Sequence, residues 1–234
     1  MALRRRKRDP AEPPRFYVYI SDAKVDMLLG QIPAGLLERL AAEVTVDLKI
    51  LSVKVATRDA PETRFSRVAL VTRFLQDQNL VGRASDSAQY FATEASPMRW
   101  GLIGRNDITG AAGIAYFTGD SDSARVFLTG SPHHILGFVP VANVDHGQPG
   151  SYAPSLNLFW DVYQDWDEPP EGLLHFDIAE DFRKNLRRPV EDLSFIARRI
   201  YQHTDGRGTL RVLGSPIWVA ASPAPATTAG TKDP

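Results

Sequence analysis

Cysteine is absent from this chain of 234 residues. Disulfides, thiolate nucleophiles and cysteine-ligated zinc are therefore excluded, and the usage fits a reducing compartment. No apolar run approaches the roughly 20 residues of a membrane-spanning helix. The first residues, Met1-Ala-Leu-Arg-Arg-Arg-Lys-Arg, have the basic start of a secretion signal. A Pro-rich loop follows instead of an apolar stretch, so no signal peptide is expected and a cytoplasmic location is. Also missing are Gly-x-Gly-x-x-Gly, Gly-x4-Gly-Lys-Ser/Thr, His-Glu-x-x-His and Gly-x-Ser-x-Gly. Their absence weighs against dinucleotide enzymes, NTPases, zincins and α/β-hydrolases. Lysine is scarce, six against 21 arginines, which points to genome composition more than to function.

Charge of one sign is confined to one end. Residues 1–15 carry six positive and two negative charges, and the whole chain is −1, so residues 16–234 carry −5. A weakly acidic body lacks the basic face of a nucleic-acid-binding fold. Only Arg4, Arg5, Arg6, Lys7 and Arg8 are suited to a weak contact with phosphates, and a solvated tail is the plainer reading of that run.

An apolar share of 43% with 24% charged residues is that of a globular chain long enough to bury a core unaided. Residues 1–14 and the Pro/Ala/Thr-rich 222–234 cannot bury enough apolar surface to offset ordering entropy, so both read as disordered tails. One core domain is expected over 15–221.

Within it, Arg15–Ile20 is β-branched and aromatic, a strand apolar enough to be central. Ser21 or Asp22 caps a helix whose Val25, Leu28, Leu29 and Ile32 keep helical spacing. Pro33 interrupts it, and Leu36, Leu37 and Leu40 resume to about Glu43. Val44–Val55 alternates as a strand with one change of phase. Asp59 and Pro61 open a helix buried through Phe65, Val68, Val71, Thr72 and Leu75, with Gly82 past its end. Gln89–Ala95, Met98–Ile103, Gly113–Thr118 and Arg125–Thr129 read as a β-meander, turning at Gly119-Asp-Ser-Asp-Ser. Gly130–Gly137 is a short capped helix. Residues 138–172 are least legible, with a weak helical preference over Leu156–Trp166. Asp177–Leu186 and Val190–Gln202 read as helices, the second with a stripe of Leu193, Ile196, Ala197 and Ile200. Leu210–Leu213 and Ile217–Ala221 close the sheet. Strand-rich runs between helices, without regular alternation, predict an α+β fold: a mostly antiparallel sheet with helices packed on it. Arg125-Val-Phe-Leu-Thr-Gly-Ser-Pro is echoed by Arg211-Val-Leu-Gly-Ser-Pro, two residues shorter.

Three places carry candidate chemistry. Ser21, Asp22 and Lys24 sit where a strand opens into a helix, and ligands collect at such strand ends. Asp22 offers an acceptor and Lys24 a cation, against the bland reading of a cap and a solvated lysine. Gly130, Ser131, His133 and His134 form a turn whose backbone N–H groups favour anions. Adjacent histidines diverge, so one metal ion is not expected to take both, and a cap with partly exposed histidines is the plainer reading. Trp160, Tyr163 and Trp166 lie in an aromatic, acidic run suited to anchoring a protein partner or simply to anchoring the core. No metal or cofactor is expected.

Phe16-Tyr-Val-Tyr-Ile-Ser-Asp-Ala-Lys-Val-Asp-Met-Leu28, with Tyr116-Phe-x-Gly119 and Gly130-Ser-x-x-His-x-x-Gly137, resembles a family of uncharacterised actinobacterial proteins over 15–221. Some members of that family lie near caspase-like and repeat-containing conflict-system genes. The resemblance implies a setting in sensing or defence and carries no catalytic residues. The sequence therefore favours a non-enzymatic module binding a small anion or a protein partner. Two alternatives are a hydrolase or transferase using Asp22, Lys24, His133 or His134 on a phosphorylated or nucleotide-like substrate, and a structural subunit docking through its aromatic run.

Overall fold

The computed structural model describes residues 15–44, 61–103, 114–121, 124–137, 176, 179–180, 183–184 and 186–221. Its elements are β1 (Phe16–Ile20), α1 (Asp22–Leu29), α2 (Ala34–Val44), α3 (Pro61–Asp77), β2 (Val81–Gly82), β3 (Tyr90–Ile103), β4 (Ile114–Ser121), β5 (Ala124–Gly130), a 3-10 turn (Pro132–His134), β6 (Glu191–Thr204) and β7 (Leu210–Ala221). Phe176, Ala179, Glu180, Arg183 and Lys184 are also helical, all but Phe176 within the helix expected at 177–186.

Five strands close into a barrel. β3 pairs with β4, β4 with β5, β5 with β7, β7 with β6, and β6 returns to β3. Side chains alternate along a strand, and here both faces are apolar. Ala115 and Phe117 of β4, Val126 and Leu128 of β5, Leu193, Phe195 and Ala197 of β6, and Val212 and Val219 of β7 join one buried cluster with Phe91 and Tyr19. The opposite faces meet the helices. Ile196, Ile217, Trp218 and Ala220 pack under Val25 and Leu28 of α1 and Val68, Val71 and Leu75 of α3. Tyr116, Phe127 and Leu213 pack under Phe176 and Ala179. α2 is held at a distance from the barrel, through Leu40 and Ala41 against Leu70 of α3. Gly214 sits where any side chain would strike the Phe91 ring.

The α+β content agrees with the sequence, but the expected sheet needs correcting. It is mixed, because β5–β7 and β2–β3 are parallel, and it closes on itself instead of lying open under helices. The second correction is β6. Residues 190–202 read as a helix because Leu193, Ile196, Ala197 and Ile200 fit helical spacing, yet the segment is a strand. Leu193, Phe195 and Ala197 face one side and Ile196 the other. A strand covered on both faces needs no polar alternation, so its apolar residues mimic a helical stripe by chance. Phe195, Ile196, Ile200 and Tyr201 are strand formers.

Smaller differences follow the same physics. β3 joins two expected strands through an irregularity between Thr93 and Ser96. β7 likewise joins two, running through Pro216. β1 is not central: it pairs with β7, is bridged on its other side by Ile135, and leaves Phe16 77% exposed. Phe65 is 40% exposed, stacked on Tyr17. The left-handed residue after α3 is Asn79 (φ 51), whereas Gly82 belongs to β2. The strand expected at 44–55 lies outside the described residues except Val44, which ends α2. Residues 138–172, with Trp160, Tyr163 and Trp166, also lie outside them, as do Arg4–Arg8 and both tails.

The echoed segments are neighbours. Arg125, Val126, Phe127 and Leu128 stand opposite Arg211, Val212, Leu213 and Gly214 in the parallel pair. Like residues at matched heights share the same barrel environment, which accounts for their likeness.

Candidate functional site

β5 and β1 lie along the same edge of β7 and run head-on. β5 is parallel to β7 and reaches Gly214 through Leu128. β1 is antiparallel and reaches Trp218 through Ile20. Between those positions, Ser215, Pro216 and Ile217 of β7 face the ends of both strands. The Ser21 N–H donates to the Ile217 carbonyl at 2.8 Å, and the Lys24 ammonium donates to the Pro216 carbonyl at 2.8 Å. Proline has no ladder N–H to lose here, where neither β1 nor β5 continues the pairing.

The two strand-end segments singled out in the sequence therefore meet. The Leu136 N–H donates to the Val18 carbonyl at 2.9 Å, and Tyr19 bridges to Ile135. The Tyr19 ring lies edge-on to His134, centroids 5.6 Å apart, and to Phe117 at 5.8 Å. Its hydroxyl abuts Gly130, where a methyl group would collide with it. That hydroxyl is buried beside Ser21 and the Ser131 backbone without closing a well-formed hydrogen bond. Burial raises its pKa well above that of an ordinary tyrosine.

Each candidate residue has a distinct position. Ser21 occupies the N-cap position of α1, extended (φ −84, ψ 91), yet its side chain makes no cap hydrogen bond. Asp22 is gripped by α3: Arg64 Nε and one Nη donate to its two oxygens at 3.0 and 2.7 Å, and Arg67 adds a contact at 3.4 Å. Arg64 also donates to the Ile20 carbonyl at 3.2 Å, and Arg67 to Asp26. Ser131 caps the 3-10 turn, accepting from the His133 N–H at 3.4 Å. The turn's other N–H groups are also engaged, His134 by the Ser131 carbonyl and Ile135 by that of Pro132. They leave no anion cradle of the kind expected from Gly130-Ser-Pro. His133 is exposed, while His134 is half-buried, so the two rings diverge. Among the described residues no group of three His, Asp or Glu gathers as a metal ion would require.

Lys24 stands apart. Among the described residues its ammonium hydrogen-bonds to a peptide carbonyl and pairs with no carboxylate. Burial, with the like charge of Arg198 on β6, pushes its pKa down to about 7. Across the junction, burial and then the charge of Lys24 push His134 down to about 4, with Asp22 opposing and Arg64 and His133 adding to the fall.

The sequence reading missed Arg64, Arg67, Arg198 and Pro216. A signal existed for the first two. Arg64 and Arg67 are one turn apart on α3, and Asp22 and Asp26 one turn apart on α1, so complementary ridges of charge were available to pair.

A closed five-stranded mixed barrel, with α1 and α3 over one face and a half-buried lysine where two strands meet head-on, defines the class of protein. The chain matches the family of unknown function DUF7019 over residues 15–222 and belongs to it. Comparison with curated proteins and with solved structures yields no match. Among the described residues, no helix is long and apolar enough to cross a membrane.

Proposed function

We propose that this chain is a non-enzymatic binding module that takes a small anion at the β1–β5 junction, with Lys24 as its cationic anchor. The carrying observation is a half-buried lysine with, among the described residues, only the Pro216 carbonyl for a partner, while the adjacent Asp22 is committed to Arg64. A cation partly withdrawn from water without a countercharge is costly, and an incoming anion would relieve that cost and recharge the amine. Ser21, His134 and the rim of the 3-10 turn flank the approach. The resemblance to proteins encoded near conflict-system genes supports a sensing or defence setting.

The hydrolase or transferase reading finds less support. A general base needs a carboxylate or substrate proton within hydrogen-bond reach. Asp22 already accepts from two arginines, and no hydrogen bond joins His134 to a carboxylate among the described residues.

Full-length protein and its Lys24→Gln variant, titrated with inorganic phosphate near pH 6.5, provide the test. Phosphate stabilises most folds weakly by exclusion, so the difference between the two proteins is the readout. A thermal midpoint that rises by several degrees more in the wild type supports the site. Equal rises in both proteins overturn it.

A further inference from the structure

The barrel has two unlike ends. At one, the β4–β5 and β6–β7 connections turn back. At the other gather the start of β1, the end of β3, the start of β6 and the end of β7. There Phe16 stands opposite Ala221, Ala221 opposite Leu193, and Met98 opposite Glu191. We propose that this second end docks on an anionic membrane surface. Phe16, Leu102 and Val190 would enter the boundary of the bilayer, and Arg99, Arg187 and Arg188 would meet its headgroups. The inference goes beyond the anion site at the β1–β5 junction and does not depend on it.

Three observations carry it. First, apolar side chains at this end are uncovered: Phe16 is 77% exposed, Val190 52% and Leu102 39%. They belong to β1, to the residue before β6 and to β3, so they follow the rim in the order β1–β7–β6–β3. Three strand spacings, about 15 Å, separate the outermost two, which makes a face instead of a groove. Trp100, two residues from Leu102 on the same side of β3, is half-buried beneath it. Second, the cations here are unspent. The Arg188 guanidinium lies 4.2 Å over the centroid of the Trp100 ring, and Arg187 and Arg99 are exposed. Among the described residues none of these three has a carboxylate within ion-pair distance. Arg64, Arg67, Arg73, Arg125, Arg183 and Arg211 each have one. Of the acids at this end, Glu191 accepts from the Trp100 Nε1–H at 3.4 Å and Asp192 stands exposed. Third, the chain preceding β1 brings charge to the same end. Seven residues separate the run Arg4, Arg5, Arg6, Lys7 and Arg8 from Phe16, a reach of at most about 30 Å. Residues 16–234 carry −5, so an anionic surface attracts this end and repels the rest of the body.

The mixture of groups selects lipid over other polyanions. A phosphodiester backbone satisfies arginines and gains nothing from Phe16 and Val190. A bilayer takes both, because apolar side chains enter below the headgroups while arginines keep their guanidinium groups at the phosphates. A tryptophan with an apolar body and one polar N–H suits the same boundary. Single weak anchors give marginal, reversible attachment, and a basic run combined with an apolar anchor holds.

Flotation of full-length protein with vesicles provides the test. One set is phosphatidylcholine alone, and the other contains about one third phosphatidylserine. Binding to the anionic set is expected to be roughly tenfold or more tighter. It should weaken several-fold as salt rises from about 0.1 to 0.5 M. Phe16→Ser with Val190→Ser removes apolar anchors, and Arg99→Glu with Arg187→Glu reverses two charges. Each pair should weaken binding about tenfold or more. All four side chains are exposed, so melting midpoints close to wild type are expected. Should the first pair fold poorly, the second carries the comparison. Arg4→Ser, Arg5→Ser, Arg6→Ser, Lys7→Ser and Arg8→Ser together should lose part of the affinity and keep the preference for anionic vesicles. Equal binding to both vesicle types, or to neither, overturns the proposal. Wild-type affinity in both folded-end pairs overturns it too, since the basic run alone would then account for binding. Competition with a short single-stranded RNA separates the remaining polyanion. RNA bound more tightly than the anionic vesicles, and equally by the Phe16→Ser, Val190→Ser pair, makes nucleic acid the partner and overturns the membrane.

Discussion

At Lys24 and His134 the fold holds two bases where their charged forms are disfavoured, and both link stability to pH in the same direction. Lys24 has its folded pKa lowered from 10.5 to about 7. As pH falls through that window the unfolded chain takes up the proton first, so stability is lost between about 10.5 and 7 and is flat below. His134 is lowered from 6.5 to about 4, so a second loss falls between those values. Unfolding midpoints followed by circular dichroism across pH should therefore decline in two steps on acidification. Lys24→Met should abolish the upper step and gain about 1–2 kcal/mol near pH 6, a discounted figure because the side chain is only partly withdrawn from water. His134→Asn should flatten the lower step by roughly 1–3 kcal/mol. A single acid transition unaffected by either substitution would contradict these environments. The rows of charge on α1 and α3 add no such cost, because Asp22 meets Arg64 through two parallel hydrogen bonds.

Between elements, the decisive contact is the abutment of β1 on β5. Gly130 is required by the Tyr19 hydroxyl rather than by backbone conformation, since it is not among the left-handed glycines, which among the described residues are Gly137 and Gly208. Gly130→Ala should cost about 2–4 kcal/mol in urea unfolding. Tyr19→Phe removes a buried hydroxyl without a good partner and should remain within about 1 kcal/mol of wild type. In the Tyr19→Phe background the Gly130→Ala cost should fall by at least half, and strict additivity would count against the contact. Much of this junction could be read in the sequence. Ser21 and Lys24 were singled out because strand ends gather ligands, and Gly130 and His134 because a helix start exposes N–H groups, although the helix expected over Gly130–Gly137 is only a three-residue 3-10 turn. How they meet could not be read, since nothing local states that β1 and β5 share one edge of β7.

For the molecule as a whole, β7 is the closing piece. It pairs with β1, β5 and β6, and its neighbour β6 connects it back to β3. Both lie at the end of the chain, so closure waits for contacts between residues far apart in sequence, and folding should be slow for the domain's size. A chain ending at Gly208 loses β7 and should show no cooperative calorimetric transition. One ending at Ala221 keeps β7 complete and should melt within a few degrees of full length. Cooperative melting of the shorter chain would show that the barrel does not depend on its last strand.

By itself the sequence determined the elements whose signals are local: the β-branched run of β1, the helical spacing of α1 and α3, the β4–β5 hairpin and the cap of the 3-10 turn. It also determined the chemistry excluded by the lack of cysteine. Tertiary structure alone decided that residues 191–204 form a strand, because burial on both faces erases the alternation that distinguishes strand from helix. Tertiary structure alone also closed the sheet, aligned the echoed strands in parallel and engaged Asp22 with an arginine 42 positions away. It placed Lys24 against a carbonyl 192 positions along the chain. Periodicity records which face a residue turns inward, whereas pairing and desolvation depend on which distant residues arrive opposite it.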